Sequence, residues 1–172
     1  MIFEKTNFHQ LVIIKPELNE DIRGIFSRTF CKEEFEENGL DTNITQCNTS
    51  FNNKKGTLRG MHYQIHPHEE IKLVRCTRGS MFDVVIDLRK NSSTYKLWFG
   101  ITLSANNRFA LYIPKGFAHG FVTLEDNTEV LYQMSDFFQP NSAKGVRWND
   151  ESFKIDWPVD ISIISISNQP SV

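Results

Sequence analysis

Along this chain apolar and polar positions alternate in short runs, and clusters of Asn, Gly, Asp and Pro separate the runs. A period of two marks a strand with one buried face. The segments 11–17 (LVIIKPE), 24–30 (GIFSRTF) and 43–51 (NITQCNTSF) mix β-branched and aromatic residues with polar ones. In 57–64 (TLRGMHYQ) strict alternation predicts Leu58, Gly60, His62 and Gln64 on one face, with Arg59, Met61 and Tyr63 on the other. The runs 71–79 and 80–89 are separated only by a turn at Gly79, which reads as a hairpin. Further strands are predicted over 96–104, 108–114, 118–125 and 129–138. One short helix is predicted at 32–40 (KEEFEENGL), stopped by Gly39. The tail from 161 reads as one more strand and a loose end.

Many short strands at regular spacing predict an all-β sandwich or barrel with short helical segments. Residues 1–172 carry no repeat, linker or low-complexity tract and read as a single domain. A small closed barrel can hold one ligand in its mouth, met by side chains from strands far apart in sequence. The 14 phenylalanines suit an aromatic-filled β core. A net charge of −2 points to neither nucleic acid nor a membrane surface as partner. No apolar run approaches the ~20 residues that span a bilayer. The first ten residues lack a signal peptide's basic end and apolar middle. Cys31, Cys47 and Cys76 are widely spaced and form no CxxC pair. Reduced thiols in a cytoplasmic protein are the expectation.

The stretch 56–70 (GTLRGMHYQIHPHEE) places His62, His66, His68, Glu69 and Glu70 close together, which raises the question of a metal. The spacing resembles the cupin superfamily of small β-barrels. Its first motif is a Gly, five residues, His-x-His, a Glu a few residues on, then a Gly. Gly56, His62 and Gly79 fit, but Gln64 stands where the second histidine belongs. The second motif, Pro-x-Gly-x-x-His, is intact as Pro114, Gly116 and His119, with Thr123 in place of the usual Asn. An amide oxygen is a weak ligand for a transition metal. His66 and His68 flank Pro67 after the strand and are expected on an exposed loop. No metal is therefore predicted, which leaves His62 and His119 as two imidazoles near one pocket.

A histidine near neutral pH is a natural general base. Arg59 and Lys72 lie close to His62 in sequence, and a cation beside the base can stabilise a developing oxyanion. Tyr132 can supply a proton, since an ordinary phenol stays protonated at neutral pH. A base, a cation and an acid together suit proton abstraction next to a carbonyl followed by reprotonation. Each residue also has a structural reading: His62 as a hydrogen-bonded core residue, Lys72 as surface solvation, Tyr132 as core packing. Asp83 and Asp87 fit turn or edge positions.

The runs GTLRGMHYQ, KLVRCTRGSMFDVVIDLR, LSANNRFALYIPKGFAHGF and EVLYQMSDFF, flanked by DIRGIFSRTF and VRWNDESFKIDWP, closely resemble the dTDP-4-dehydrorhamnose 3,5-epimerase family in order along nearly the whole chain. The resemblance implies a cupin-like double-stranded β-helix, or jelly-roll barrel, working as a homodimer with no metal or other cofactor. It implies an isomerase that inverts C3 and/or C5 of a nucleotide-linked 4-keto-6-deoxy sugar, in the synthesis of cell-surface glycans such as the lipopolysaccharide O-antigen. In that reading His62 is the base, Lys72 holds the enolate and Tyr132 donates the proton. Arg59 and His119 line the sugar and phosphate site. Gln46, Asn48 and Ser50 fall on the family's Q-x-N-x-S strand. Arg23 reaches the partner subunit's nucleotide.

Several positions depart from the family pattern. Asn168 stands where an aspartate pairs the base, and Ser167 replaces a lysine beside it. Phe138 replaces a second tyrosine, Ala143 a glutamate. Arg28 replaces a glutamate near the nucleotide, which leaves the base open among dTDP, CDP and GDP. Inversion at one carbon is open beside inversion at both, for example at C5 of a 3,6-dideoxy-4-keto sugar or at C3 alone. Two other functions remain: a metal-free cupin that moves a ketone between C3 and C4 of a nucleotide sugar, and a sugar-nucleotide-binding protein that has lost activity.

Overall fold

A computed structural model describes residues 1–164 and bears out the all-β expectation. The strands are β1 (Ile2–Lys5), β2 (Val12–Lys15), β3 (Asn19–Asp21), β4 (Gly24–Phe26), β5 (Gln46–Asn52), β6 (Thr57–Gln64) and β7 (Lys72–Arg78). They continue as β8 (Ser80–Asp87), β9 (Trp98–Ser104), β10 (Ala110–Ile113), β11 (Phe117–Thr123), β12 (Thr128–Met134), β13 (Ala143–Gly145) and β14 (Ile163–Ile164). The helix α1 (Lys32–Glu37) precedes β5.

Two large sheets face each other. One runs β1-β2-β10-β7-β12-β5. The other runs β13-β6-β11-β8-β9, with β14 beside β6. From β5 to β13, strands consecutive in sequence fall in opposite sheets, as β7 and β8 do, or β10 and β11, with β8 and β9 the one pair that stays together. That wrapping of a strand pair around a common interior is the double-stranded β-helix, or jelly roll. The expected hairpin at Gly79 is therefore not one. The chain turns a corner from one sheet to the other there, at φ +74°. A Cβ at Gly79 would meet Thr128 Oγ1 at 2.6 Å, so only glycine fits the corner.

Three apolar layers hold the sheets. The interior joins Val74, Leu111 and Val130 of one sheet to Met81, Val85, Leu103 and Phe121 of the other. Outside the first sheet, Phe35 of α1 and Leu40 cover Leu73, Ala110 and Tyr112. Outside the second, Met61, Val84 and Ile86 lie under Val146, Trp148, Phe153 and Trp157. Asp83 and Asp87, expected at turns or edges, are both fully buried on β8. Asp87 accepts from Arg89, Ser92 and Thr94. Burial raises a carboxyl pKa, but those hydrogen bonds override it and hold Asp87 far below the usual carboxylate range. Among the described residues no helix is long and apolar enough to cross a membrane.

Candidate active site

The site is built around an irregularity in β6. Opposite β11, His62 pairs with His119, Arg59 with Phe121 and Leu58 with Val122, and the register shifts between His119 and Phe121. Two residues of β6, Gly60 and Met61, thus face Gly120 alone, which makes a β-bulge. His119 and Phe121 are two apart on β11 and share its inner face. Their partners His62 and Arg59 therefore share that face too. Strict alternation predicts them on opposite faces, so the bulge corrects that expectation and sends Leu58 to the other side. The backbones at the bulge almost touch: a Cβ on Gly120 would lie 2.7 Å from Arg59 O and 2.6 Å from Met61 Sδ.

Around this point both sheets contribute. His62 is exposed at the rim of the interior. Lys72 Nζ crosses from the opposite sheet to donate to His62 O at 3.3 Å. It also forms an ion pair with Glu70 Oε1 at 3.0 Å, their side chains 11 % and 7 % exposed. Tyr132 packs against the interior cluster from β12. Its ring meets that of His119 edge-on, with centroids 6.2 Å apart. Behind them His119 Nε2 lies 2.7 Å from Asp83 Oδ1. A carboxylate only accepts, so Nε2 is the donor in this contact. Asp83 Oδ2 is buried without a hydrogen-bond partner among the described residues. Arg59 Nε donates to Asn52 Oδ1 at 2.7 Å, bridging the two sheets.

Burial, reinforced by the Asp83 charge, pushes the Tyr132 phenol well above the ordinary tyrosine range. Arg59 and a hydrogen bond with Ser50 pull the other way without reversing it. Tyr132 thus keeps its proton throughout neutral pH. Asn48 pairs with Tyr132 in register, Ser50 with Val130 and Gln46 with Met134. These three polar side chains line the same inner face. Gln46 Oε1 accepts from Phe138 N at 3.2 Å.

The structure brings His62, Lys72, Tyr132, Arg59, His119, Gln46 and Asn48 to one end of the barrel. It does not bring Arg23 and Arg28 there within the single chain. Arg23, 86 % exposed, pairs with Asp21 on the β3–β4 hairpin. Arg28 pairs with Glu34 of α1 at 2.6 Å. Asn168 and Ser167 lie outside the described residues. Read from the sequence, Glu70 falls in a candidate metal cluster and Asp83 at a turn or edge, and Asn52 is not singled out. A signal for Asp83 was present: an acid inside the apolar run MFDVVID, where burial demands a partner. Glu70 stands near the carboxylate of the first cupin motif, yet its partner is an ammonium. His66 and His68 do lie beyond the strand, and His68 Nδ1 meets Asp136 Oδ2 at 3.1 Å.

The donor set does not fit a metal. Gln64 Oε1 accepts from Gln139 N at 2.6 Å, and its Nε2 donates to Glu70 Oε2 at 2.6 Å. Both sides of the amide are taken, and Glu70 is shared between Gln64 and Lys72. No cluster of three or more His, Cys, Asp or Glu suited to a metal forms among the described residues.

A jelly-roll barrel with a histidine, a lysine and a protonated tyrosine converging at one end has the equipment of an acid–base isomerase. The family model for dTDP-4-dehydrorhamnose 3,5-epimerase matches residues 5–170, and the chain belongs to that family of nucleotide-sugar epimerases. A dTDP-4-dehydrorhamnose 3,5-epimerase of Shigella flexneri is 42 % identical over 162 residues, 94 % of this chain and 89 % of its own. The crystal structure of a Bacillus anthracis dTDP-4-dehydrorhamnose 3,5-epimerase with TDP and PPi bound superposes with TM-score 0.94 at 39 % identity, covering 97 % of this chain and 95 % of that one. A Legionella pneumophila epimerase in complex with dTDP-4-keto-L-rhamnose superposes with TM-score 0.91 at 36 % identity, covering 97 % and 89 %.

Proposed function

We propose that the protein inverts C3 and C5 of a dTDP-linked 4-keto-6-deoxyhexose. The observation that carries the reading is the convergence of His62, Lys72 and Tyr132 on one end of the barrel interior. The C4 ketone acidifies the hydrogens on both neighbouring carbons. His62 removes one of them, and the pair of electrons moves onto the C4 oxygen as an enolate. Lys72 supplies the positive charge for that oxygen, a type of contact worth about 3–4 kcal/mol in the transition state. Tyr132 returns a proton from the opposite face, which inverts the centre. Its raised pKa keeps it the acid throughout neutral pH.

The ligands in the Bacillus and Legionella structures support dTDP as the carrier. The departure at Arg28 does not weigh against it, because in this chain that guanidinium is occupied by Glu34. The β3–β4 hairpin supports a homodimer in which Arg23 reaches the partner's nucleotide. Leu18, Ile22, Ile25 and Phe26 around it are all exposed, an apolar surface that a second subunit would cover.

Incubation with dTDP-4-keto-6-deoxyglucose in D₂O tests the reading. Deuterium at both C3 and C5 with inverted configuration is the expected result. A 3-keto product would mean a ketoisomerase, and an unchanged sugar a binding protein. Label at a single carbon would reduce the assignment to a mono-epimerase.

A further inference from the structure

We infer that Glu70 is the positioning residue for Lys72, and that Gln64 is what fixes Glu70. The inference rests on the reading that Lys72 faces the enolate. A lysine ammonium on its four-carbon stem has no preferred direction of its own. Here Nζ is held between Glu70 Oε1 at 3.0 Å and His62 O at 3.3 Å. The second carboxylate oxygen of Glu70 is taken by Gln64 Nε2 at 2.6 Å. Each oxygen of Glu70 thus has one assigned donor, and the carboxylate cannot rotate without losing both.

The orientation of Gln64 is itself fixed. Its Oε1 accepts the backbone N–H of Gln139 at 2.6 Å, and a backbone N–H can only donate. The NH₂ group must therefore face the other way, towards Glu70 and the carbonyls of His68 at 3.0 Å and Phe137 at 3.2 Å. A histidine at this position, as in the cupin motif, has no way to accept from Gln139 and donate to both Glu70 and a carbonyl. A glutamate would set two carboxylates against each other. Gln64 thus fits where a metal ligand does not, and the carboxylate of the cupin motif anchors an ammonium.

The same clamp ties Lys72 to residues 137–139, which carry the exposed rings of Phe137 and Phe138. Glu70→Gln tests it. A glutamine at 70 has one acceptor atom where two donors converge, so Lys72 is released. A misplacement on the order of 1 Å can cost about 10²-fold in rate. The expected result is a fall in kcat of about that factor with KM little changed.

The decisive comparison repeats Glu70→Gln in a Lys72→Met background. If Glu70 acts through Lys72, the second change adds almost nothing there. An equal loss in both backgrounds, or no loss in either, overturns the inference. Wild-type turnover by Lys72→Met alone overturns the role of Lys72 and the inference with it. Gln64→Leu, which keeps Glu70 charged but unclamped, is the second variant should Glu70→Gln fail to fold. It is expected to lower kcat in the Lys72 background-dependent manner described, and an additive loss counts against the inference.

Discussion

At the scale of single residues the site divides into groups proposed to touch the sugar and groups that aim them. His62→Asn is expected to abolish both deuterium exchange and epimerisation, because no second base stands in its place. Tyr132→Phe is expected to slow inversion more than exchange, since His62 still removes and returns a proton on its own face. Equal loss of both in the Tyr132 variant, read by NMR of the recovered sugar, would remove Tyr132 from the donor's role. Asp83 contributes to Tyr132 from behind. Its charge is one cause of the raised phenol pKa, so Asp83→Asn should let Tyr132 ionise at lower pH. The protonated phenol is the active form in this mechanism. The alkaline limb of kcat/KM should therefore move to lower pH in Asp83→Asn, and an unmoved limb would separate Asp83 from Tyr132. His62, Lys72, Tyr132, Arg59 and His119 were legible because each is a reactive type on a strand or beside a motif. Asp83 and Glu70 were not. Their meaning lies in partners on another strand or across the barrel, and spacing along one strand says nothing of those.

At the scale of elements, one bulge decides what β6 presents. Period-two reading located the strand to the residue but placed Arg59 on the wrong face, because it carries no information about an extra residue in a ladder. Gly120→Ala should be costly. The added methyl has Arg59 O at 2.7 Å and the Gly60 backbone against it. Overpacking of this kind costs about 1–3 kcal/mol, and backbone neighbours yield least. A shift in the denaturant midpoint of that size should accompany a loss of activity, as Arg59 and His62 move relative to each other. An unchanged midpoint would mean that the bulge relaxes freely. At the end of β8, the Asp87 network makes a pH-dependent contribution. Its carboxyl is depressed in the folded state, so the stability it adds is present above the unfolded carboxyl's pKa of about 4. That stability is lost as pH falls through the lower folded value. Arg89→Met should destabilise by about 1–3 kcal/mol at neutral pH, as charged hydrogen bonds do. The difference from wild type should shrink in acid. A constant difference across pH, by thermal unfolding, would count against the carboxylate as the cause.

At the scale of the whole molecule, an all-β sandwich or barrel was legible from many short strands and a cupin-like barrel from the two motifs, and the double-stranded β-helix followed from the family resemblance. The corner at Gly79 was not legible, since a turn residue between two strands marks a hairpin and a change of sheet alike. Part of the outer face of each sheet is covered by the chain's own segments, whereas the β3–β4 hairpin is an uncovered apolar feature among the described residues. The protein is expected to be a dimer by light scattering at micromolar concentration. Phe26→Asp, on that hairpin, should shift it towards monomer and weaken nucleotide binding together. A fully active monomer would refute the role given to the hairpin. The proposed catalytic groups are dealt out along the chain, with the base on β6, the ammonium on β7 and the acid on β12, and the strands alternate between sheets. During synthesis the base and the ammonium therefore leave the ribosome well before the acid does. A nascent chain halted before β12 would carry the means to remove a proton and none to return it from the other side. In the finished sheet β12 lies between β7 and β5, so the sheet that carries Lys72 is complete only once β12 has been made.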